Sequence, residues 1–139
     1  KIVGDFFTGP PFTMSWQSYV DDHLIGTGHV TKAAICGVDG ALWASSAGFD
    51  VSPEEVAKIV AGMADPSGIQ AGGIYIGGEK WMFIRSDDRL VAGKKGNTGL
   101  FVVKATTCVV FGTHDETIQG GNCNTCVGNL ADYLFNNGM

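Results

Sequence analysis

The spacing of apolar side chains predicts a helix near each end of this chain. After Ser15, a residue that commonly caps helices, apolar side chains recur at helical intervals from Trp16 to Leu24. The same interval returns over residues 122–135. Each helix therefore has one apolar face, and we expect both helices to pack against a sheet.

Between these helices, short apolar runs separated by glycine-rich turns predict strands. Residues 31–38 and 41–46 form a predicted hairpin, because Asp39-Gly40 between them is a strong two-residue turn signal. Five further strands are predicted at residues 73–76, 80–85, 89–93, 99–104 and 109–114. The last of the five is apolar and β-branched, which is typical of a central strand. A turn over residues 94–97 is predicted to join the third strand of this series to the fourth.

A second helix is predicted to begin after Ser52. Serine caps the helix, Pro53 takes its first position, and Glu54 and Glu55 favour the positive end of the helix dipole. We expect it to end near residues 62–63 and to be followed by a short turn or helix over residues 66–70. The strand connections are short, so the sheet should be antiparallel and the fold an α+β layered domain.

Length and composition fit one globular domain. The chain has 139 residues, of which 45% are apolar and 17% are charged. No apolar run approaches the roughly 18 residues that would span a bilayer, so no transmembrane segment is predicted.

Residues 1–13 differ from the rest of the chain. They are mostly apolar, are broken by Gly and Pro, and lack the pattern of a signal peptide. We interpret them as a leader or cloning remnant outside a domain of residues 14–139, and we expect them to be loosely ordered. Their Pro10-Pro11 pair is too short to be a good proline-rich ligand.

The charge is distributed unevenly. The net charge is −5, yet the window 79–104 holds six of the nine basic residues and only three acidic ones. An acidic protein with one basic stretch is a poor general nucleic-acid binder, so no nucleic-acid partner is predicted. The stretch could face an acidic protein or a phosphorylated headgroup, or it could be an ordinary solvated surface. Its basic residues are Lys80, Arg85, Arg89, Lys94, Lys95 and Lys104.

The four cysteines do not suggest a secreted disulfide framework. Cys36 and Cys108 lie in apolar runs and should be buried, reduced thiols. Cys123 and Cys126 form a C-x-x-C motif, but a second Cys/His pair is missing and helical spacing alone would place both on one face. We therefore expect a reducing cytoplasm rather than a metal or redox site.

No catalytic motif emerges from the sequence. The three histidines lie in unlike contexts, and neither a nucleophile elbow, a zinc-protease motif, a phosphate loop nor a dinucleotide fingerprint is present. We therefore predict that the protein is not an enzyme and needs no cofactor or metal. A small enzyme that uses the C-x-x-C motif is the remaining catalytic alternative.

Two aromatic residues in the first helix point instead to a binding module. Trp16 and Tyr19 are three residues apart, so they share one helical face. If that face is partly exposed, the pair forms an apolar platform with polar edges. Such platforms bind proline-rich ligands, which are already extended and lose little entropy on docking.

These residues belong to a set that resembles the profilin family, in particular profilins of amoebae and fungi. The first match is Met14-Ser-Trp-Gln-Ser-Tyr-Val-Asp21, and the others follow in family order over residues 24–28, 42–49, 85–89, 93–96 and 130–134. The resemblance implies a central antiparallel sheet with the N- and C-terminal helices packed together on one face and smaller helices on the other. It also implies a monomer located in the cytoplasm and the cytoskeleton.

The resemblance implies a groove for proline-rich proteins such as formins. Its implied residues are Trp16, Tyr19, Trp43, Tyr133, Leu134 and Met139. Met139 stands where the family usually ends in an aromatic residue.

The resemblance also implies a face that binds monomeric actin and regulates its polymerisation, and that could bind phosphatidylinositol bisphosphate headgroups. Its implied residues are Lys80, Arg85, Lys94, Lys95, Gln119, Gly121 and Asn124. Thr125 departs from the lysine that many relatives carry there. A roadblock-type dimerisation or scaffold module is the alternative among proteins that are not enzymes.

Overall fold

A computed structural model describes residues 16–46, 49 and 51–138 of the chain. The predicted leader, Ser15 and Met139 lie outside the described residues. These described residues form four helices: α1 Trp16–His23, α2 Pro53–Ala64, α3 Ser67–Gly72 and α4 Gly120–Asn136. A single 3₁₀ turn, Ile25–Thr27, follows α1. Within the described residues, none of the helices is long and apolar enough to cross a membrane.

One curled sheet of seven strands forms the centre of the domain. Its strands are β1 Lys32–Gly37, β2 Leu42–Ser45, β3 Ile74–Ile76, β4 Glu79–Ser86, β5 Leu90–Lys95, β6 Thr98–Lys104 and β7 Cys108–His114. Neighbouring strands are all antiparallel, in the order β2-β1-β7-β6-β5-β4-β3. The predicted antiparallel α+β domain is therefore confirmed, as is the internal position of β7.

The predicted turn over residues 94–97 is too long. Lys94 and Lys95 continue β5, because they pair with Gly99 and Thr98 of β6. Only Gly96 and Asn97 remain in the turn, where Gly96 has a φ of 61° that favours glycine. The two lysines thus lie on a regular strand, and consecutive strand residues point to opposite faces of the sheet.

Each face of the sheet carries its own hydrophobic core. Helices α1 and α4 both contribute to the core on one face, through residues such as Val20 and Val127. Helices α2 and α3 contribute to the core on the other face, through residues such as Ile59 and Ile69. The implied arrangement, with the terminal helices together and the smaller helices opposite, is confirmed.

Helix α4 approaches the sheet closely at Gly112 of β7. A Cβ at that position would collide with the side chain of Val127 in α4. Because glycine has no side chain, the helix packs closely on the strand, and this places Tyr133 on the same face as α1. The helix begins at Gly120, two residues before the predicted start, after Gln119 as its N-cap.

The start of α2 is held by a reciprocal capping arrangement. The Ser52 side chain accepts a hydrogen bond from the Glu55 backbone N–H, and the Glu55 carboxylate accepts one from the Ser52 N–H. The same carboxylate also accepts the N–H groups of Gly77 and Gly78, at 2.8 and 2.9 Å, in the turn between β3 and β4. Glu55 therefore connects the start of α2 to the turn between β3 and β4, which is distant in sequence.

Replacing Glu55 with glutamine is expected to lower the free energy of unfolding by about 1–2 kcal/mol at neutral pH, because hydrogen bonds to a charged acceptor are stronger than neutral ones. Burial alone would raise the pKa of Glu55, but the donated backbone hydrogen bonds outweigh it and lower the pKa. This stabilisation is thus present above the unfolded-state pKa, about 4.3, and is lost as the pH falls through the folded-state pKa.

Urea unfolding at pH 7 and pH 3 checks this expectation. The difference between wild type and Glu55→Gln should shrink at the lower pH. Glu54→Gln is the matched control, since Glu54 is an exposed neighbour in the same helical turn. Equal effects of the two substitutions at pH 7 would contradict the role given to Glu55.

Candidate functional site

Four aromatic rings from both ends of the domain form one continuous row. The Trp43 ring from β2 lies 4.7 Å from the Trp16 ring of α1, measured between centroids. Trp16 lies 5.5 Å from Tyr19, and Tyr19 lies 6.3 Å from Tyr133 of α4. The ring planes of these pairs are tilted by 42° to 49°, between the stacked and the edge-to-face arrangements. We call these four residues the aromatic groove.

The members of the aromatic groove differ in exposure. Tyr133 is 38% exposed, and Trp16 and Trp43 are half-buried. Tyr19 is only 2% exposed, so it forms the floor of the groove rather than a wall. Leu134 is fully buried in the core under the terminal helices, so it supports the groove from beneath and cannot touch a ligand. The groove is thus an open apolar surface on a packed base.

Both tyrosine hydroxyls of the aromatic groove have raised pKa values. Burial raises the pKa of Tyr19, and the nearby Tyr133 hydroxyl raises it further through charge and hydrogen bonding. Burial also raises the pKa of Tyr133 to about 12, although its hydrogen bond to Tyr19 lowers that pKa. Both hydroxyls therefore stay protonated at neutral pH, and a phenol that keeps its proton can donate to a carbonyl oxygen.

A side-chain hydrogen bond connects helix α1 to β2, the edge strand that carries Trp43. The Gln17 side-chain amide donates to the Ser45 carbonyl of β2 at 2.9 Å and to the Asp21 carboxylate at 3.1 Å. This contact holds the Trp16 and Trp43 rings together, although the two residues are distant in sequence. The groove is consequently set by secondary structure rather than by loops, which favours a preformed binding surface.

Several implied actin-face residues meet in a cleft of about 720 Å³ on the face that α4 covers. It is lined by Arg85 of β4, Lys94 of β5, and Gly121 and Asn124 at the start of α4. We call this the basic cleft. Its rim also holds acidic groups: the Asp115 carboxylate binds the Thr117 N–H and hydroxyl, which lower its pKa.

A β-bulge brings Arg85 into this cleft. In the pairing of β4 with β5, Phe83 lies opposite Gly93 and Arg85 opposite Ala92, so Ile84 is the extra residue. Without the bulge, Arg85 would point to the same face as Phe83. The bulge restores it to the face of Lys94, as such irregularities commonly re-aim a side chain.

The remaining implied actin-face residues do not line this cleft. Lys95 points to the opposite face of the sheet, where its Nζ lies 3.1 Å from the Glu79 carboxylate. Lys80 is exposed farther along β4, opposite Tyr75. Gln119 is exposed at the N-cap of α4. The structure therefore separates Lys94 from its neighbour Lys95.

Two exposed apolar residues at the cleft were not identified as site residues by the sequence analysis. Met82 is 67% exposed and Ile84 is 52% exposed, both on β4. The strand is apolar at every position from Trp81 to Ile84, so its sequence does not show which face is buried. Exposed apolar groups next to basic ones suit a protein interface.

In the C-x-x-C motif, Cys123 lacks the lowered thiol pKa that a reactive cysteine needs. Cys123 is buried, and burial together with neighbouring Cys126 raises its thiol pKa to about 12. A reactive cysteine needs the opposite shift, because the thiolate is the nucleophile. Cys36 and Cys108 are free and buried, as predicted. Among the described residues, no three His, Cys, Asp or Glu side chains come together to hold a metal ion.

The fold and the aromatic groove define a small α+β binding module. The sequence model described as Profilin matches residues 14–139, and the chain belongs to the profilin family. It is 49% identical to Profilin-A of Physarum polycephalum over 125 residues, which cover 90% of this chain and 99% of that protein. Profilins are actin-binding, cytoskeletal proteins rather than enzymes, and the roadblock-type alternative finds no support in these comparisons.

Solved structures agree with this membership. Profilin II of Acanthamoeba castellanii superposes with a TM-score of 0.86 at 46% identity, covering 90% of this chain and 100% of that one. Mouse profilin IIa, in complex with a double repeat from the FH1 domain of mDia1, superposes with a TM-score of 0.77 at 29% identity. That alignment covers 91% of this chain and 100% of the mouse chain.

Proposed function

We propose that this profilin binds monomeric actin and proline-rich ligands and thereby regulates actin polymerisation. The observation that carries the proposal is the aromatic groove, in which α1, β2 and α4 place four rings in one row. Three elements distant in sequence meet there, and Trp16, Trp43 and Tyr133 remain partly exposed. Family membership and the mouse complex with a formin repeat support the same assignment.

Proline-rich segments dock on the groove by ring contact and hydrogen bonding. Proline rings lie against Trp16, Trp43 and Tyr133, while indole N–H and phenol O–H groups donate to ligand carbonyls. The extended ligand conformation exists before binding, so little conformational entropy is lost. Formins are the proposed class of ligand.

Actin binds at the basic cleft and its apolar border. Arg85 and Lys94 attract the acidic surface of actin and orient it, while Met82 and Ile84 supply apolar contact. Phosphatidylinositol bisphosphate headgroups bind the same cations. The −5 net charge makes that binding weak.

In this role the protein is a monomer of the cytoplasm and cytoskeleton and catalyses no reaction. It holds actin monomers, permits their addition at the barbed end and promotes nucleotide exchange on actin. Proline-rich nucleation factors recruit it to sites of filament growth. It needs no cofactor and has no nucleic-acid partner.

A titration with a proline-decamer peptide tests the proposal. Tryptophan emission should change saturably, because Trp16 and Trp43 lie in the groove. In parallel, the protein should bind labelled actin monomers and remain monomeric in analytical ultracentrifugation. A stable homodimer with no response at millimolar peptide would refute the proposal and favour a dimerisation module.

A further inference from the structure

The lining of the basic cleft carries charges of both signs. Its cations are Arg85 and Lys94. Its anions are Asp115 and Glu116, so the lining has no net charge when His114 is neutral. A ligand that enters the cleft therefore meets as much negative charge as positive charge.

The two signs lie on opposite sides of the cleft. Arg85 belongs to β4 and Lys94 to β5, whereas Asp115 and Glu116 directly follow β7. In the sheet, β6 separates β7 from β5 and β4. Neighbouring strands are about 4.8 Å apart, so the two sides lie roughly 10 to 14 Å from each other. Among the described residues, none of these four groups forms an ion pair.

Hydrogen bonds hold the acidic side in position. The Asp115 carboxylate accepts the N–H of Thr117 at 2.9 Å and also its hydroxyl. The Glu116 carboxylate accepts the side-chain amide of Asn97 at 3.2 Å, which connects it to the turn between β5 and β6. Hydrogen bonds to a charged carboxylate favour that form, and those from Thr117 lower the pKa of Asp115. The negative charge is thus fixed at one side of the cleft.

We propose that Asp115 and Glu116 determine which partner the basic cleft accepts. They favour a protein surface with charges of both signs and disfavour a phosphoinositide headgroup. The inference rests on the actin binding proposed above. The actin monomer presents acidic groups to the cations of the cleft and a basic group to Glu116. Such complementarity fixes orientation and suppresses wrong partners.

A phosphoinositide headgroup cannot match this pattern, because all its charges are negative. Each of its phosphate monoesters carries about −1.5 to −2 charges at neutral pH. The cations attract it, but the acidic side repels it at a separation close to the Debye length of about 8 to 10 Å. Removing the charge of Glu116 should strengthen headgroup binding about twofold, and reversing that charge should strengthen it about fourfold.

Two charge reversals of equal size test the inference. Glu116→Lys and Glu54→Lys each replace one acidic residue with one basic residue, so they change the net charge identically. Glu54 is an exposed residue of α2, the helix that packs on the other face of the sheet. The probes are actin monomers and phosphatidylcholine vesicles that contain phosphatidylinositol bisphosphate, with pure phosphatidylcholine vesicles as the blank.

The two partners should respond in opposite directions. Glu116→Lys should bind the bisphosphate vesicles about fourfold more tightly and actin at least about fivefold more weakly than wild type. Glu54→Lys should change either affinity less than about twofold, because its charge is distant from the cleft.

A milder variant keeps the test valid if the reversal disturbs the loop. Glu116→Gln retains a side-chain oxygen that can accept the hydrogen bond from Asn97. It should strengthen vesicle binding about twofold and weaken actin binding about twofold. Circular dichroism checks that each variant is folded.

The outcomes separate this inference from the proposed function. Equal vesicle binding by Glu116→Lys and Glu54→Lys would show that overall charge decides and would overturn the inference. Absence of vesicle binding by Glu116→Lys, or wild-type actin affinity in that variant, would overturn it as well. In these cases actin binding by the wild type leaves the proposed function standing. A wild-type protein that does not bind actin would overturn both.

Discussion

Replacing Trp16 with alanine should weaken proline-decamer binding at least about thirtyfold while the domain stays folded. Trp16 lies between the Trp43 and Tyr19 rings, so its loss divides the groove at its centre. Central aromatic residues of an interface typically contribute 2 kcal/mol or more, and 2 kcal/mol corresponds to about a thirtyfold change. The ring is half-buried at the edge of its core, so its removal should cost less stability than that of a fully buried residue.

Calorimetry measures this affinity without relying on the tryptophan that is removed. Trp81→Phe is the matched control, since Trp81 is only 5% exposed and belongs to the core on the other face. It should keep wild-type affinity, and circular dichroism should show both variants folded. Wild-type affinity in folded Trp16→Ala would show that proline ligands bind elsewhere.

Reversing the charge of Lys94 should weaken actin binding about tenfold or more, whereas the same change at adjacent Lys95 should alter it less than about twofold. Lys94 lines the basic cleft together with Arg85, and Lys95 lies on the opposite face beside Glu79. Placing like charges together at an interface costs up to several kcal/mol. The two substitutions, Lys94→Glu and Lys95→Glu, change the net charge identically.

Stopped-flow association with labelled actin monomers at several salt concentrations distinguishes the two sites. Lys94→Glu should slow association and flatten its salt dependence, because the charge it removes steers the encounter. Lys95→Glu should follow the wild-type curve. Equal effects of the two variants would mean that overall charge, not the cleft, controls actin binding.

Local signals were sufficient for most secondary structure. Asp39-Gly40 marked the first hairpin, and Ser52, Pro53 and the two following glutamates marked the start of α2. The capping box between Ser52 and Glu55 was found only in the structure. The main error was the turn before β6, where two charged lysines beside Gly96 were interpreted as loop. Strand pairing with Thr98 and Gly99 outweighs that local preference, because the ladder satisfies backbone groups that a loop would leave to solvent.

The aromatic groove could be predicted only in part from the sequence. The helical spacing of Trp16 and Tyr19 identified a shared face, but resemblance was needed to add Trp43 and Tyr133. Neither source indicated that Tyr19 is the floor of the groove and that Leu134 lies beneath it. Burial depends on what packs above a residue, and that neighbour comes from another part of the chain.

The sequence by itself determined the order of helices and strands, the antiparallel sheet, the family and the chemical types at both sites. These properties follow from local periodicity, turn chemistry and segments that keep their order. The tertiary structure alone decided which of the paired lysines faces the basic cleft and how a bulge at Ile84 re-aims Arg85. The physical reason is that the face of the sheet to which a side chain points depends on strand register. Register in turn depends on hydrogen-bonded partners that are distant along the chain.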